Sequence, residues 1–498
     1  MTRFNQASQI ALIISLAGST AAFADVTAQQ VWEDWQETMG MSGEVNIAIG
    51  SETASGGTIS VTDLVVSMQE PDISVTSTIG SLEFTEQGDG TVAVTLSPEN
   101  TIDLVLEGTP VSITATNDDM NIVVSGDPSE FNYAVSADSY ALTVTSIEDD
   151  EVVLNDISVV ISGISGTYVT HTSDLRNVSY NMAAENTTIV VDVSENGGGG
   201  VVQMAGTLAD LAAAAQIAMP LNMMEMENPD NMFVDGFAVE GGYSVGATEY
   251  SMNFNADGDM AQGAASFDGA NVALAMGMDG FAYQGAIQNL AANIVGSEIP
   301  LPVEFAMEEL SYGIDVPVSA SDDPQDFALN MTLGGLTVNE LLWSMADPAG
   351  VLPHDPATVS FDLTGAAKLF FDVLDPSQAD ALAMSDMPGE LHSLNLNNLT
   401  VSLVGAEILG DGAFTFDNTD LETFDGLPRP MGELNLAING ANGLIDKLIQ
   451  MGLIPEQEAM MPRMMMGMFT TPVGDDMLTS KIEINEQGHI SANGQRLQ

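Results

Sequence analysis

The side chains able to do chemistry are supplied unevenly. The 498 residues include 71 Asp and Glu, eight Lys and Arg, four His, 30 Met and no Cys, for a formal charge of −63. Without Cys there are no disulfides, no thiolate nucleophile, no Cys-ligated zinc and no iron–sulfur cluster. His171, His354, His392 and His489 stand apart, with neither H-x-H nor H-E-x-x-H spacing to hold zinc. Gly242-Tyr243-Ser244-Val245-Gly246 has the G-x-S-x-G form, but that elbow needs a strand-to-helix turn. The residues after it alternate like a strand, so a hairpin is the expected structure there. The glycines at 197–200 are no phosphate loop, because the nearest downstream lysine is Lys368. Asn255, Asp257 and Asp259 space like the opening of a calcium loop, yet Met260 stands where its glycine belongs and the distal Glu is missing. No catalytic residue, metal ligand or cofactor is assigned.

Methionine offers a different chemistry. It gathers at Met219, Met223, Met224 and Met226, and again at Met460, Met461, Met464, Met465, Met466 and Met468. Clustered thioethers suit Cu(I). The spacing 461, 464, 465, 468 is that of one helix face, which favours packing or an adaptable apolar groove. The candidate groove residues are Met223, Met226, Met461, Met464, Met465 and Met468.

The charge excludes a basic nucleic-acid surface. Between Arg3 and Lys368 the one basic residue is Arg176, so most carboxylates must face water. Self-repulsion of this size is eased by salt, which points to a saline milieu. A hydrophobic content of 45% is still enough to build a core.

The elements that must carry these groups follow from periodicity. Residues 1–24 have the layout of a secretory signal: Arg3, an apolar run from Ile10 to Ala17, and Ala22-Phe23-Ala24 before a cleavage point after Ala24. The expected location is the periplasm, and no later segment is apolar enough to span a membrane as a helix. A helix capped by Asp25 or Thr27 carries Val31, Trp32, Trp35 and Met39. From Val45 the period becomes two, with turn signals between runs, as in an antiparallel meander with one solvated face. The meander is expected to break at 197–200, and residues 207–226, interrupted by Pro220, read as helical. Further helices are expected from a Thr337/Glu340 capping box, from Asp375-Pro376, and from Leu444, Ile445, Leu448 and Met451 closed by Gly452. The last strands are placed at 434–438 and 477–484.

The fold class is therefore α+β: large twisted antiparallel sheets with several helices packed on them, in two lobes. The division is a signal peptide 1–24, a strand-rich lobe 25–205, a helical connection 206–230 and a mixed lobe 231–498. An outer-membrane barrel fits less well, since 6% aromatics are too few for two girdles and the chain ends Arg496-Leu497-Gln498.

Several residue runs resemble a known family. They are Trp343-Ser344-Met345-Ala346-Asp347-Pro348, Leu352-Pro353-His354-Asp355-Pro356-Ala357, Gly405-Ala406 with Gly410-Asp411-Gly412, Asn442 to Leu448, and Ser491 to Arg496. With the start at Val26-Thr27-Ala28, Trp32 and Trp35, the chain resembles the alphaproteobacterial domain-of-unknown-function family twenty-one twenty-five. The resemblance implies an exported envelope protein and brings no catalytic residues with it.

The functional expectation is a non-catalytic binding or scaffolding protein for lipid or another hydrophobic ligand. Two alternatives stand beside it, a carboxylate-dependent periplasmic hydrolase and an envelope assembly partner that binds a basic protein.

Overall fold

A computed structural model describes residues 26–40, 45–221, 231–256, 258–299, 301–385 and 387–497. The signal segment with its cleavage point, Met223 and Met226 lie outside the described residues. Antiparallel strand makes up 65% of the chain and helix 12%, so the fold is β-rich. Two compact units are present: Met1–Gly269 with Val295–Glu298, and Ala270–Ile294 with Ile299–Gln498.

The first unit opens with helix α1 (Ala28–Gly40). Thr27 and Gln30 form a reciprocal capping box: the Gln30 N–H donates to Thr27 Oγ1 at 3.3 Å and the Thr27 N–H donates to Gln30 Oε1 at 3.0 Å. Then come β1 (Val45–Ser55), β2 (Thr58–Gln69), β3 (Ile73–Glu86), β4 (Val92–Leu96), β5 (Glu99–Leu106), β6 (Thr109–Asp118) and β7 (Asn121–Asp127). They are followed by β8 (Glu130–Ile147), β9 (Val152–Thr172), β10 (Leu175–Glu195), β11 (Gly200–Pro220), β12 (Ala238–Val245), β13 (Thr248–Ala256) and β14 (Asp259–Phe267).

Several of these are halves of longer strands. β4 and β5 lie end to end along β3, with Leu82 opposite Leu96 and Thr78 opposite Thr101. β6 and β7 share β8 in the same way, and β12 and β13 share β11. Every long strand is interrupted at one level. There the ladder omits a pair while the register on both sides continues unchanged: Gly50–Asp63, Asp63–Gly80, Asp138–Gly163 and Glu185–Asp210. Asp63, Gly163 and Asp210 have φ of 51°, 64° and 51° at these points. Gly163 has a second reason to be glycine, because a Cβ there would lie 2.5 Å from Glu185 Cγ.

The apolar alternation slips by one residue at the same level. In β2 the buried residues are Ile59, Val61 and then Leu64; in β3 Ile79 gives way to Leu82 and Phe84. All of these belong to one hydrophobic cluster, so the slip keeps the greasy residues on one face through the interruption.

Residues 207–220, expected to be helical, are strand throughout, within β11. The alanines favour helix locally, but β10 takes one edge and β12 with β13 the other, and this pairing overrides propensity. Small side chains also permit close approach: a Cβ on Gly241 would lie 2.5 Å from the Ala215 Cβ. The glycines at 197–200 do not break the meander; Gly197 and Gly198 have φ of 103° and 87° in the turn joining β10 to β11.

The second unit takes up β15 (Gly269–Gly277), β16 (Gly280–Gly296), β17 (Val303–Val316), β18 (Gln325–Val338), α2 (Glu340–Ala346), β19 (Ala357–Leu369) and α3 (Ala379–Met384). It continues with β20 (Gly389–Leu403), β21 (Ala406–Asp417), β22 (Arg429–Asn439), α4 (Ala441–Gln450) and α5 (Glu456–Phe469). It closes with β23 (Thr471–Gly474), β24 (Met477–Ile484), β25 (Ile490–Ala492) and β26 (Gln495–Arg496). The interruption recurs at Asn289–Glu308–Gly335, with φ of 53° at Asn289 and 66° at Gly335. The cap of α2 is Asn339, whose Oδ1 accepts from the Leu342 N–H at 3.2 Å, and not the expected Thr337, which lies inside β18. Asp375 does cap a short 3₁₀ turn before α3, accepting from the Ser377 N–H at 2.9 Å.

Candidate functional site: an apolar sheet face and a methionine helix

On one side of the interruption, α1 covers the sheet of the first unit. Val31 and Trp32 are buried against Ile59, Val61, Leu82, Phe84, Val92, Val94 and Val124. Trp35 meets the Phe84 ring edge-on at 5.4 Å between centroids. The helix is also tied by polar groups. Arg176 on β10 is 4% exposed and its guanidinium lies 3.3 Å from the Asp34 carboxylate and 3.6 Å from that of Glu37. It also donates to Thr38 Oγ1 at 2.9 Å. The Tyr133 hydroxyl donates to the other Asp34 oxygen at 2.5 Å. Burial, then the Asp34 carboxylate, pushes the Tyr133 phenol far above the usual tyrosine range, and burial raises Tyr168 beside it. The Trp32 indole N–H donates to Glu52 at 3.1 Å.

On the other side of the interruption the same face continues with a different finish. Val66 still packs against the cluster under α1, and beyond it register places Ile102, Ile113, Val144 and Leu142, then Val159, Ile189, Val191 and Met204, and finally Tyr250, Met252 and Phe254. Of the large apolar residues on this half only Leu64, next to the interruption, is buried. Met204 is 51% exposed and pairs with Met252, itself 40% exposed. The Tyr250 ring lies over Gly206, where a Cβ would meet its Cδ1 at 2.7 Å, so the aromatic fills the place of the missing side chain. The opposite face is polar: Asn155 donates to Asp192, Gln203 to the same carboxylate, Asn253 to Gln203 and Gln262 to Asn253, at 2.9–3.3 Å. The two faces of these strands thus differ in polarity, one greasy and the other laddered by amides and carboxylates.

In the second unit, the expected methionine face is on α5. Met461, Met464, Met465 and Met468 are 64%, 63%, 51% and 56% exposed. Only Ala459 of this helix is buried. These thioethers therefore fill no core gap; of the two readings of their spacing, packing or an adaptable groove, packing is not met on this helix. Met223 and Met226 lie outside the described residues, so of the candidate groove residues only the four on α5 are described. Arg463 on α5 pairs with Asp446 on α4 at 2.5 Å.

A polar hollow of about 580 Å³ lies at the interruption of the second unit, lined by Gln288, Asn289, Glu308, Glu309, Thr332 and Ser360 among others. Glu308 and Glu309 are successive in β17, and Glu309 accepts from the Ser311 hydroxyl at 2.8 Å. Ser244 sits within β12, opposite Ala212, with no helix after it, so it has none of the elbow geometry. His354 stacks on Trp343 at 4.4 Å between ring centroids, with its Nδ1 3.1 Å from Glu340, while the buried Asp347 accepts from the Leu352 N–H at 2.6 Å. The run 343–354 thus closes a turn around α2. Among the described residues no group of three His, Cys, Asp or Glu could hold a metal ion.

No family model, curated protein or solved structure matches the chain. No helix among the described residues is long and apolar enough to cross a membrane.

Proposed function

We propose that the protein is a non-catalytic binding protein of the cell envelope that holds the acyl chains of a lipid on the uncovered apolar half of its first unit. Export through the signal segment, residence in the periplasm and kinship with the exported family of unknown function are parts of the same proposal. So is the finer architecture, two sheet lobes with helices packed on them. The observation that carries it is the contrast along single strands: the apolar side chains under α1 are buried, while those past the interruption on the same face are not. The face is half-buried from Ile102 to Val191 and exposed at Met204, Tyr250, Met252 and Phe254, and an apolar surface of this kind supports a ligand or interaction site. Burying one CH₂ fully contributes about 0.8 kcal/mol, so each methylene that the face covers adds a fraction of that to retention.

The test is extraction of the purified protein with organic solvent, followed by rebinding of a fluorescent fatty acid to the stripped protein. Co-purified lipid and saturable rebinding are expected. Met204→Glu with Met252→Glu is expected to weaken rebinding at least tenfold with an unchanged circular dichroism spectrum. A protein that carries no lipid and rebinds none overturns the proposal.

A further inference from the structure

We infer that the outward face of α5 binds Cu(I) through thioether sulfurs, a site that lies in the second unit and does not depend on the lipid reading above. The first observation is the way the helix is turned. Successive residues of an α-helix stand about 100° apart around its axis, so Met461, Met464, Met465 and Met468 share an arc of about 100°. These four are 51–64% exposed. Ala459, Arg463 and Met466 fall on the opposite side, where Ala459 is buried and the other two are half-buried. An amphipathic helix ordinarily turns its apolar stripe toward the core. On α5 the stripe is turned to solvent, and the inward side holds a small alanine and an arginine paired with Asp446. Core packing therefore gives no reason for four long side chains at these positions, and the property they share beyond greasiness is sulfur.

The second observation is the donor set. Residues three and four apart on a helix have Cβ atoms about 5–6 Å apart, and Met, unbranched and with three rotatable bonds, reaches a common point from such positions. Met461, Met464 and Met465 make one triad of this spacing, and Met464, Met465 and Met468 make a second. The two share Met464 and Met465, so the stripe takes one ion at a time. Cu(I) is a soft ion that selects thioethers over the carboxylate oxygens in which this chain abounds. There is no Cys to compete for it, and His354 and His392 are placed against Glu340 and Glu390. From Ala459 to Phe469 the one charged residue is Arg463, on the far side of the helix and paired with Asp446, so nothing on the stripe repels a cation. The formal charge of −63 draws one in. A thioether has no proton to displace, so this site holds its metal through the range in which a His site would release it.

The experiment titrates the full chain without oxygen, using Cu(I) supplied as its acetonitrile complex with ascorbate present, against the coloured Cu(I) chelator bicinchoninate. At least one Cu(I) per chain is expected to pass from the chelator to the protein, with sulfur as the nearest shell in X-ray absorption and an affinity that changes less than twofold from pH 8 to pH 6. Met461→Leu, Met464→Leu, Met465→Leu and Met468→Leu together keep the size and apolarity of the face and remove its sulfur. This fourfold variant is expected to lose one equivalent of Cu(I) with an unchanged circular dichroism spectrum. Taken singly, Met464→Leu, which touches both triads, is expected to weaken that equivalent at least threefold, and Met461→Leu, which leaves the second triad whole, less than twofold. Met204→Leu with Met252→Leu, an exposed pair in the first unit, is expected to change nothing. If the fourfold variant loses its spectrum, the two single variants decide. No transfer of Cu(I), a shell of nitrogen or oxygen alone, a tenfold loss of affinity from pH 8 to pH 6, or a folded fourfold variant that binds as much Cu(I) as the parent overturns the inference. Each of these outcomes leaves the lipid reading standing, since its own test is read on the first unit.

Discussion

Arg176 and Asp34 meet at 3.3 Å across 142 positions of sequence, the basic partner 5% exposed and the acidic one 10% by side chain. In a chain with so few cations, this pair fixes α1 over the core half of the first unit's sheet and leaves the remainder of that face open.

Removing one partner of such a pair leaves an uncompensated buried charge. Arg176→Met is expected to destabilise the first unit by about 3–5 kcal/mol in urea unfolding. Adding Asp34→Asn is expected to recover part of the loss, which double-mutant analysis reads directly. Additive effects would show that the two groups do not interact.

The strand interruption makes a second prediction. At Gly163 the backbone φ is 64° and Glu185 leaves no room for a Cβ. Gly163→Val is expected to cost about 1–3 kcal/mol from the backbone alone, with a further loss as Glu185 is displaced. Gly163→Asn is expected to cost less, because Asn tolerates the left-handed region. Thermal unfolding of the two variants checks the order.

A third concerns α4. Its N-terminal residue before the helix is Gly440, which has no side chain to cap with, and Asp476 from the far side of α5 does the work. Its carboxylate accepts from the Asn442 and Gly443 N–H groups at 3.1 and 2.8 Å and from the Asn442 amide at 2.9 Å. Partial burial raises the carboxyl, but these donors outweigh it and hold it below the ordinary 3.8. A depressed carboxyl stabilises the fold above its unfolded value, and that contribution is lost as pH falls through the folded value. Its contribution to α4 is therefore expected to fall away below about pH 4. Asp476→Ala is expected to cost about 1 kcal/mol at neutral pH and to remove that part of the acid transition.

The fourth is global. With 71 acidic residues and eight basic ones, the melting temperature is expected to rise from low salt to about 1 M sodium chloride, where the Debye length is ~3 Å. A fall would remove charge repulsion as a limit on stability.

How much of this the sequence disclosed differs from element to element. The α1 helix was legible because the Thr27 cap and the Val31, Trp32, Trp35 and Met39 spacing are local signals, and β24 was legible to the residue at both ends. The alanine run in β11 misled because propensity reports one strand, whereas the outcome was decided by its two neighbours. The uncovered face left a trace that window-by-window reading misses: the odd-to-even change from Val61 to Leu64, repeated from Val135 to Tyr140 and from Ile161 to Ile164. Arg176 was visible as a rarity, but nothing near it in sequence names Asp34. The exposure of Met461, Met464, Met465 and Met468 was hidden because helical spacing says which residues share a side and not whether anything lies against it.

The omitted pairs also have a mechanical consequence. Hydrogen-bonded ladders resist folding across their strands, and a row of missing bonds at Gly50, Asp63, Gly163 and Asp210 lowers that stiffness along one transverse line. A bend between the half gripped by α1 and the half beyond it would thus concentrate on that line, where it disturbs the fewest ladder bonds.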